Sequence, residues 1–131
     1  MDIRTPSVHH FIVNGKQRTG RLGEAVAAEY LQKNGYRLYR RNIRLGHDEI
    51  DIVAYDPIDR TLVFAEVKTR EHSHRDYTPE LNYSGRKRRS LLRAARRFVA
   101  SRNFAGGYRL DLLCVVNGRV IDHIKEVNNS L

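Results

Sequence analysis

The sequence predicts an α/β domain in which a central mixed β-sheet is flanked by helices. Three observations point there. The candidate elements run helix, three strands, helix, two strands. The strand candidates are short apolar runs bounded by turn residues, whereas the helix candidates carry apolar residues at helical spacing. The chain has 131 residues, of which 40% are hydrophobic, enough for one domain with its own core.

Residues 1–17 read as an N-terminal extension, and residues 18–131 as the folded domain. In the extension, Asn14-Gly15 after Phe11-Ile12-Val13 suggests a small hairpin. Alanines and leucines then fill a helix over 18–33, which Asn34-Gly35 ends. Strands are expected over 36–44, 49–55 and 61–69, with Asp56-Pro57-Ile58-Asp59 as turn chemistry between the last two. Residues 71–84 form a polar loop, and a second helix covers 84–102 and stops near Gly106-Gly107. Two further strands fit 109–116 and 119–127, joined by Asn117-Gly118.

Charge narrows the partner. There are 24 Lys plus Arg against 15 Asp plus Glu, a formal charge of +9. A polyanion is implied, with nucleic acid ahead of an anionic membrane. Cys114 is the single cysteine, which excludes an internal disulfide or a cysteine zinc cluster. It lies in Leu112-Leu113-Cys114-Val115-Val116 and is expected in the core. No apolar run approaches about 18 residues, and the N-terminus lacks the apolar centre of a secretion signal. A cytoplasmic protein outside the membrane is expected.

Against this basic background, carboxylates interrupt two apolar strands. Glu49-Ile50-Asp51 is followed by Glu66-Val67-Lys68. Side chains alternate along a strand, so Glu49 and Asp51 share one face while Ile50, Ile52 and Ala54 share the other. Leu62, Phe64, Glu66 and Lys68 likewise share a face. If residues 57–60 form the hairpin loop, Asp56 faces Thr61 and Asp51 faces Glu66. Opposed side chains have Cβ atoms about 4.5–5.5 Å apart, where like charges repel. A divalent cation removes that conflict. Mg²⁺ needs only one or two carboxylates when waters and a substrate phosphate complete its shell. It can activate water and neutralise a scissile phosphate, and Lys68 could orient the nucleophile or stabilise developing charge. The alternative is a surface hairpin with a solvated Glu66–Lys68 pair, but the apolar runs favour a cleft.

Glu24 shares a helical stripe with Ala27, Ala28 and Leu31. It is either a third ligand, direct or through water, or the partner of a buried arginine. Glu29 and Lys33 are four apart and read as an ordinary surface pair.

The second helix holds eight basic residues between Arg86 and Arg102 and no acid. Leu91, Leu92, Ala94, Ala95, Phe98 and Val99 form its apolar face; Arg86, Arg89, Arg93, Arg96 and Arg97 cluster opposite. This arginine face is a candidate for phosphate contact, which carries no sequence information by itself. Lys87 falls beside the apolar face and could reach toward the acidic cleft. In the 71–84 loop, Tyr77 and Tyr83 could stack on unpaired bases, and His72 and His74 are too weakly spaced to read as a metal site. Asp111 either supports the site or pairs with Arg109. No Ser-His-Asp set or glycine-rich nucleotide loop is present.

Three segments carry a family resemblance: Gly20-Arg21-Leu22-Gly23-Glu24-Ala25, Asp48-Glu49-Ile50-Asp51-Ile52-Val53, and Val63-Phe64-Ala65-Glu66-Val67-Lys68-Thr69-Arg70. In this order they resemble the uncharacterised bacterial YraN-like family. That family is similar to the PD-(D/E)xK nucleases, which include archaeal Holliday-junction resolvases. The resemblance covers roughly residues 18–127. It implies a restriction-endonuclease-like αβββαβ sandwich with Mg²⁺, or Mn²⁺, at the acidic cluster. It matches Asp51 to the superfamily aspartate, Glu66 to the second metal-binding acid, Lys68 to the catalytic lysine and Glu24 to the helix-one glutamate of the resolvase-like branch. Glu49 thereby drops to a secondary candidate. Two departures are visible: Asp48 stands where the family usually has glycine, and no proline adjoins Asp51. The expected function is Mg²⁺-dependent hydrolysis of DNA phosphodiester bonds, with branched or single-stranded DNA as candidate substrates. Resolvases act as dimers, so the resemblance also implies a homodimer. The competing reading is a nucleic-acid-binding module that keeps the fold without turnover.

Overall fold

A computed structural model describes residues 15–70 and 85–125, with side chains from residue 21 onward. The elements are α1 (Gly15–Lys33), β1 (Arg37–Leu45), β2 (Asp48–Asp56), β3 (Thr61–Arg70), α2 (Gly85–Arg102), β4 (Gly107–Val116) and β5 (Arg119–Ile124). This is the expected α/β order. Helix α1 begins at Gly15, so the turn expected at Asn14-Gly15 gives way to helix at its second residue, and the first turn of α1 overlaps the extension expected over 1–17. Phe11–Val13 and the loop residues His72, His74, Tyr77 and Tyr83 lie outside the described residues, as does the end of the last expected strand.

The five strands form one sheet in the order β1-β2-β3-β4-β5. Every neighbouring pair is antiparallel except β3 and β4. A parallel pair needs a crossover connection, and α2 lies within it. The two helices cover opposite faces. Ile50, Val53, Leu62, Phe64, Leu110 and Leu112 pack with Leu91, Ala94, Ala95 and Phe98 of α2. Ile52, Ala54, Val63, Ala65, Leu113 and Val115 pack with Ala27, Ala28 and Leu31 of α1. Cys114 is fully buried in the α2-side layer, as its apolar run predicts.

Local chemistry sets the boundaries. Gly35 takes a left-handed φ of 88°, which lets Tyr36 N donate to Leu31 O at 3.0 Å and Gly35 N to Gln32 O at 3.1 Å, closing α1 in a Schellman cap. Asp56 Oδ1 accepts from Ile58 N at 3.0 Å, fixing the β2–β3 turn. Asp56 does pair with Thr61, as the four-residue loop requires, and the register continues to Ile52 opposite Ala65. Asn117 and Gly118, with φ of 49° and 75°, close the β4–β5 hairpin.

Strict alternation fails on β2. Ile50 packs on the α2 side, whereas Ile52 and Ala54 pack on the α1 side, so the three do not share a face. The neighbouring strand shows the cause. Asn42 has φ 53°, and regular pairing of β1 with β2 skips the step between Arg41↔Ile52 and Ile43↔Ile50. A left-handed residue in one strand turns its neighbours out of step with the pleat. The dislocation falls opposite Asp51.

Candidate metal and phosphate site

The site is built on that dislocation. Past Ile52↔Ala65 the ladder between β2 and β3 stops. In its place Asp51 Oδ2 accepts the Val67 backbone N–H at 2.8 Å. Asp51 is thus anchored through one oxygen at the point where the strands part. Burial, then the neighbouring Glu66, pushes its carboxyl up to about 8 against the opposing pull of Val67 N–H, with Glu24 and Glu49 adding to the rise. The other three expected acids therefore all act on Asp51 electrostatically.

Glu66 and Lys68 lie alongside. Lys68 Nζ is 3.5 Å from Glu66 Oε1, and the two side chains are only 9% and 20% exposed, which excludes a solvated surface pair. Burial, then contact with the Lys87 amine, lowers the Lys68 ammonium below the usual lysine range, while Glu66 resists the shift. Lys87 of α2 accordingly reaches the cluster, as its helical position suggested, although most of it is exposed.

Helix α1 delivers Glu24. A Cβ on Gly23 would lie 2.0 Å from Thr69 Oγ1, so only glycine lets α1 sit this close to β3. Burial pushes Glu24 up to about 7, opposed by Arg41, Arg21 and Asn42. The Asn42 amide donates to Glu24 Oε1 and Oε2 at 2.7 and 2.8 Å. Each oxygen keeps a further lone pair, so Glu24 can meet a cation directly or through water. Arg21, Glu24, Arg44, Glu49 and Asp51 line one open cavity of about 600 Å³; Glu66 and Lys68 are outside its lining. Glu49 itself is exposed and salt-bridged to Arg44.

The residues suit a hard divalent cation. The donors are carboxylate oxygens, they repel one another, and Asp51 keeps Oδ1 clear of the Val67 bond. Among the described residues, no three Asp, Glu, His or Cys side chains converge closely enough to hold an ion by themselves. Two carboxylates with water and phosphate oxygens are sufficient for Mg²⁺.

The basic helix differs from its sequence reading at two arginines. Asp48 is buried and accepts from Ser90 Oγ at 2.7 Å and from Arg93 Nε and Nη2 at 3.2 and 3.1 Å. The Arg93 and Ser90 hydrogen bonds hold the Asp48 carboxyl below its usual range. Arg97 Nη1 donates to Leu45 O at 3.4 Å, next to Gly46. Arg93 and Arg97 therefore fasten α2 to the β1–β2 turn while staying exposed, as Arg86, Arg89 and Arg96 are.

A second polar network stands at the other end of the sheet. Buried Arg109 donates to Asp111 Oδ1 at 2.9 Å, Asp56 Oδ2 at 3.1 Å, Asp59 Oδ2 at 3.2 Å and the Tyr36 hydroxyl at 2.9 Å. His123 bridges Asp111 Oδ2 at 2.7 Å and the Tyr30 hydroxyl at 3.0 Å. Asp111 is thus a structural partner of Arg109, on the strand opposite Ala65. The Asp48 latch, the Asn42 clamp and the Asp56, Asp59, Tyr36 and His123 contacts of this network join distant residues with no local pattern, whereas the Arg109–Asp111 pair was one of the two alternatives legible in the sequence.

Fold and cluster define a class: a mixed-sheet α/β protein with an acid–lysine cluster where a β-hairpin opens. The chain belongs to UPF0102, described as an uncharacterised protein family, whose pattern matches residues 23–115. This bears out the YraN-like resemblance. A UPF0102 protein of Moorella thermoacetica is 43% identical over 101 residues, covering 76% of this chain and 82% of its own. One from Chlorobium chlorochromatii is 35% identical over 122 residues, covering 86% and 92%. One from Oleidesulfovibrio alaskensis is 44% identical over 102 residues, but this chain spans only 46% of its length. Among solved structures, a chain of the "EndoMS-dsDNA2 complex" aligns at 16% identity with TM-score 0.39, covering 85% of this chain and 41% of that one. A likeness at that level carries no weight for function. Among the described residues, no helix is long and apolar enough to cross a membrane.

Proposed function

We propose that this protein is a Mg²⁺-dependent endonuclease acting on DNA in the cytoplasm, with Mn²⁺ as an alternative cofactor. The observation that carries the reading is the Asp51 cluster. A buried carboxylate held beside Glu66, Glu24 and Glu49 is unfavourable by itself and is relieved when a dication and a phosphate arrive. Asp51 and Glu66 would hold the ion, with Glu24 a third ligand directly or through water. Bound Mg²⁺ neutralises charge on a phosphate and makes water more acidic. Lys68, buried and with a lowered affinity for its proton, orients the nucleophilic water or meets charge developing on the phosphate. Arg86, Arg89 and Arg96 hold the DNA backbone, and Lys87 bridges from that face to the cluster. A homodimer would let two such sites address two strands of a branched substrate.

The test is cleavage of single-stranded, flap, junction and duplex DNA with Mg²⁺ or Mn²⁺. The reading expects cutting that Asp51→Asn and Lys68→Ala both abolish while the fold persists. Full activity in either variant overturns it. One observation favours a second reading, a binding module without turnover: among the described residues no three metal-ligating side chains converge closely enough to hold an ion by themselves. That reading expects salt-sensitive binding to all of these DNAs and no cutting of any.

A further inference from the structure

At the end of α2 remote from Lys87, the helix stops at Arg102 before covering the whole sheet. The chain turns back through Asn103, with φ 52°, and Phe104 N donates to Val99 O at 3.2 Å. A cavity of about 510 Å³ remains, lined by Tyr39, Tyr55, Phe98 and Phe104, with Arg37 and Arg102 among its other walls. Its volume is in the roughly 300–1,000 Å³ range of small-molecule and cofactor sites. Sheet register builds it: Arg37 pairs with Tyr55, and Tyr55 with Leu62. Tyr39 meets Phe98 edge to face at 5.8 Å, and the Arg102 guanidinium lies over the Phe98 ring at 4.9 Å. A Cβ on Gly106 would lie 2.8 Å from Phe104 Cζ, so glycine there lets the Phe104 ring keep its place in the wall.

We propose that this cavity receives one unpaired nucleobase of a DNA strand that runs along α2. Charge selects the occupant: the lining contains two arginines and no acid. The rings offer a base flat apolar partners, worth about 1–3 kcal/mol per stacked base. Arg37 and Arg102 stand where flanking phosphates would pass, and Arg102 can stack on the base as it now stacks on Phe98. Tyr55 and Leu62 are each four residues from Asp51 and Glu66 along their strands, roughly 13 Å at strand rise. A strand seated here and passing around α2 has its following nucleotides within reach of the acidic cluster. The inference rests on the nuclease reading for that last step, and on the cavity alone for base binding.

The experiment is binding and photocrosslinking in EDTA, where no cleavage intervenes. The probes are a single-stranded oligodeoxynucleotide of about a dozen residues, the same strand with one 5-iodouridine, and an abasic strand of equal length. We expect crosslinks to peptides containing Tyr39, Tyr55 or Phe104. The base-bearing strand should bind at least about fivefold more tightly than the abasic one. Phe104→Ala and, if that variant fails to fold, Tyr39→Leu should erase the preference while leaving abasic binding within about twofold. Crosslinks confined to other peptides, or an unchanged preference in folded Phe104→Ala or Tyr39→Leu, overturn the proposal. Seating of an acidic peptide there with no base preference would also overturn it. Failure of the cleavage reading appears separately, as loss of Mg²⁺-dependent cutting with base preference intact.

Discussion

Asp51 Oδ2 takes the backbone N–H of Val67 at 2.8 Å, replacing with a side chain the ladder bond that the parted strands no longer make. The same bond fixes the carboxylate and satisfies an amide that would otherwise be left unpaired. Asparagine can accept that bond equally well, which separates the charge of Asp51 from its structural role.

The pH dependence follows. Asp51 moves from an ordinary 3.8 to about 8, and Glu24 from 4.5 to about 7, so the folded protein binds these protons more tightly than the unfolded chain. Their stabilising effect is full below about pH 4 and is lost as pH rises toward about pH 8. Metal-free protein should therefore lose melting temperature between about pH 5 and about pH 9, and Asp51→Asn should flatten the loss. At about pH 9 the variant should be more stable than the parent by at least about 2 kcal/mol, measured by denaturant unfolding in EDTA.

Asp48 is the second test. Truncation to alanine removes the acceptor for Ser90 and Arg93 and leaves a gap under α2. A loss of about 1–3 kcal/mol is expected on urea unfolding. Restoring glycine, the residue usual at this place in the family it resembles, should cost no less, because this chain has built a latch there.

Arg109 should prove the most sensitive structural residue. Arg109→Met leaves Asp111 and Asp56 buried without their cation, and about 3–5 kcal/mol should be lost. Burial raises Asp56, yet the N–H groups of Asp59 and Ile58 together with the Arg109 guanidinium hold it below its usual range. Its share of stability is thus present above the unfolded value near 3.8 and disappears as pH falls through the folded one. DNA cleavage per folded molecule should be unchanged, which distinguishes this network from the site.

On α2 the outward arginines divide by use. Arg86→Ala, Arg89→Ala and Arg96→Ala should each reduce the log–log salt slope of duplex binding by about 0.9 with little change in melting temperature. Arg93→Ala should cost stability as well, because Arg93 holds Asp48.

The element order, the β2–β3 register and the gathering of Glu24, Asp51, Glu66 and Lys68 were legible because each is written in local pattern: apolar runs, a four-residue loop, a charged residue in an apolar stripe. The Ile50-Ile52-Ala54 face was misread because alternation assumes an unbroken pleat, and a left-handed Asn42 on the next strand breaks it. Arg93 looked like its neighbours on the helix because nothing in a helical wheel shows Asp48 forty-five residues away. The aromatic cavity was invisible for a similar reason. Tyr39, Tyr55 and Phe104 come from three separate segments, and only where α2 ends decides that they stay partly uncovered.

The most direct measurement is Mg²⁺-dependent cleavage of end-labelled single-stranded and junction DNA by parent, Asp51→Asn and Lys68→Ala proteins, each verified as folded. The account predicts cutting by the parent in Mg²⁺, none in EDTA, and a loss of at least about 100-fold in both variants, the scale on which removing an electrostatic stabiliser acts. Cutting by Lys68→Ala at the rate of the parent, or cutting by the parent in EDTA, would contradict it.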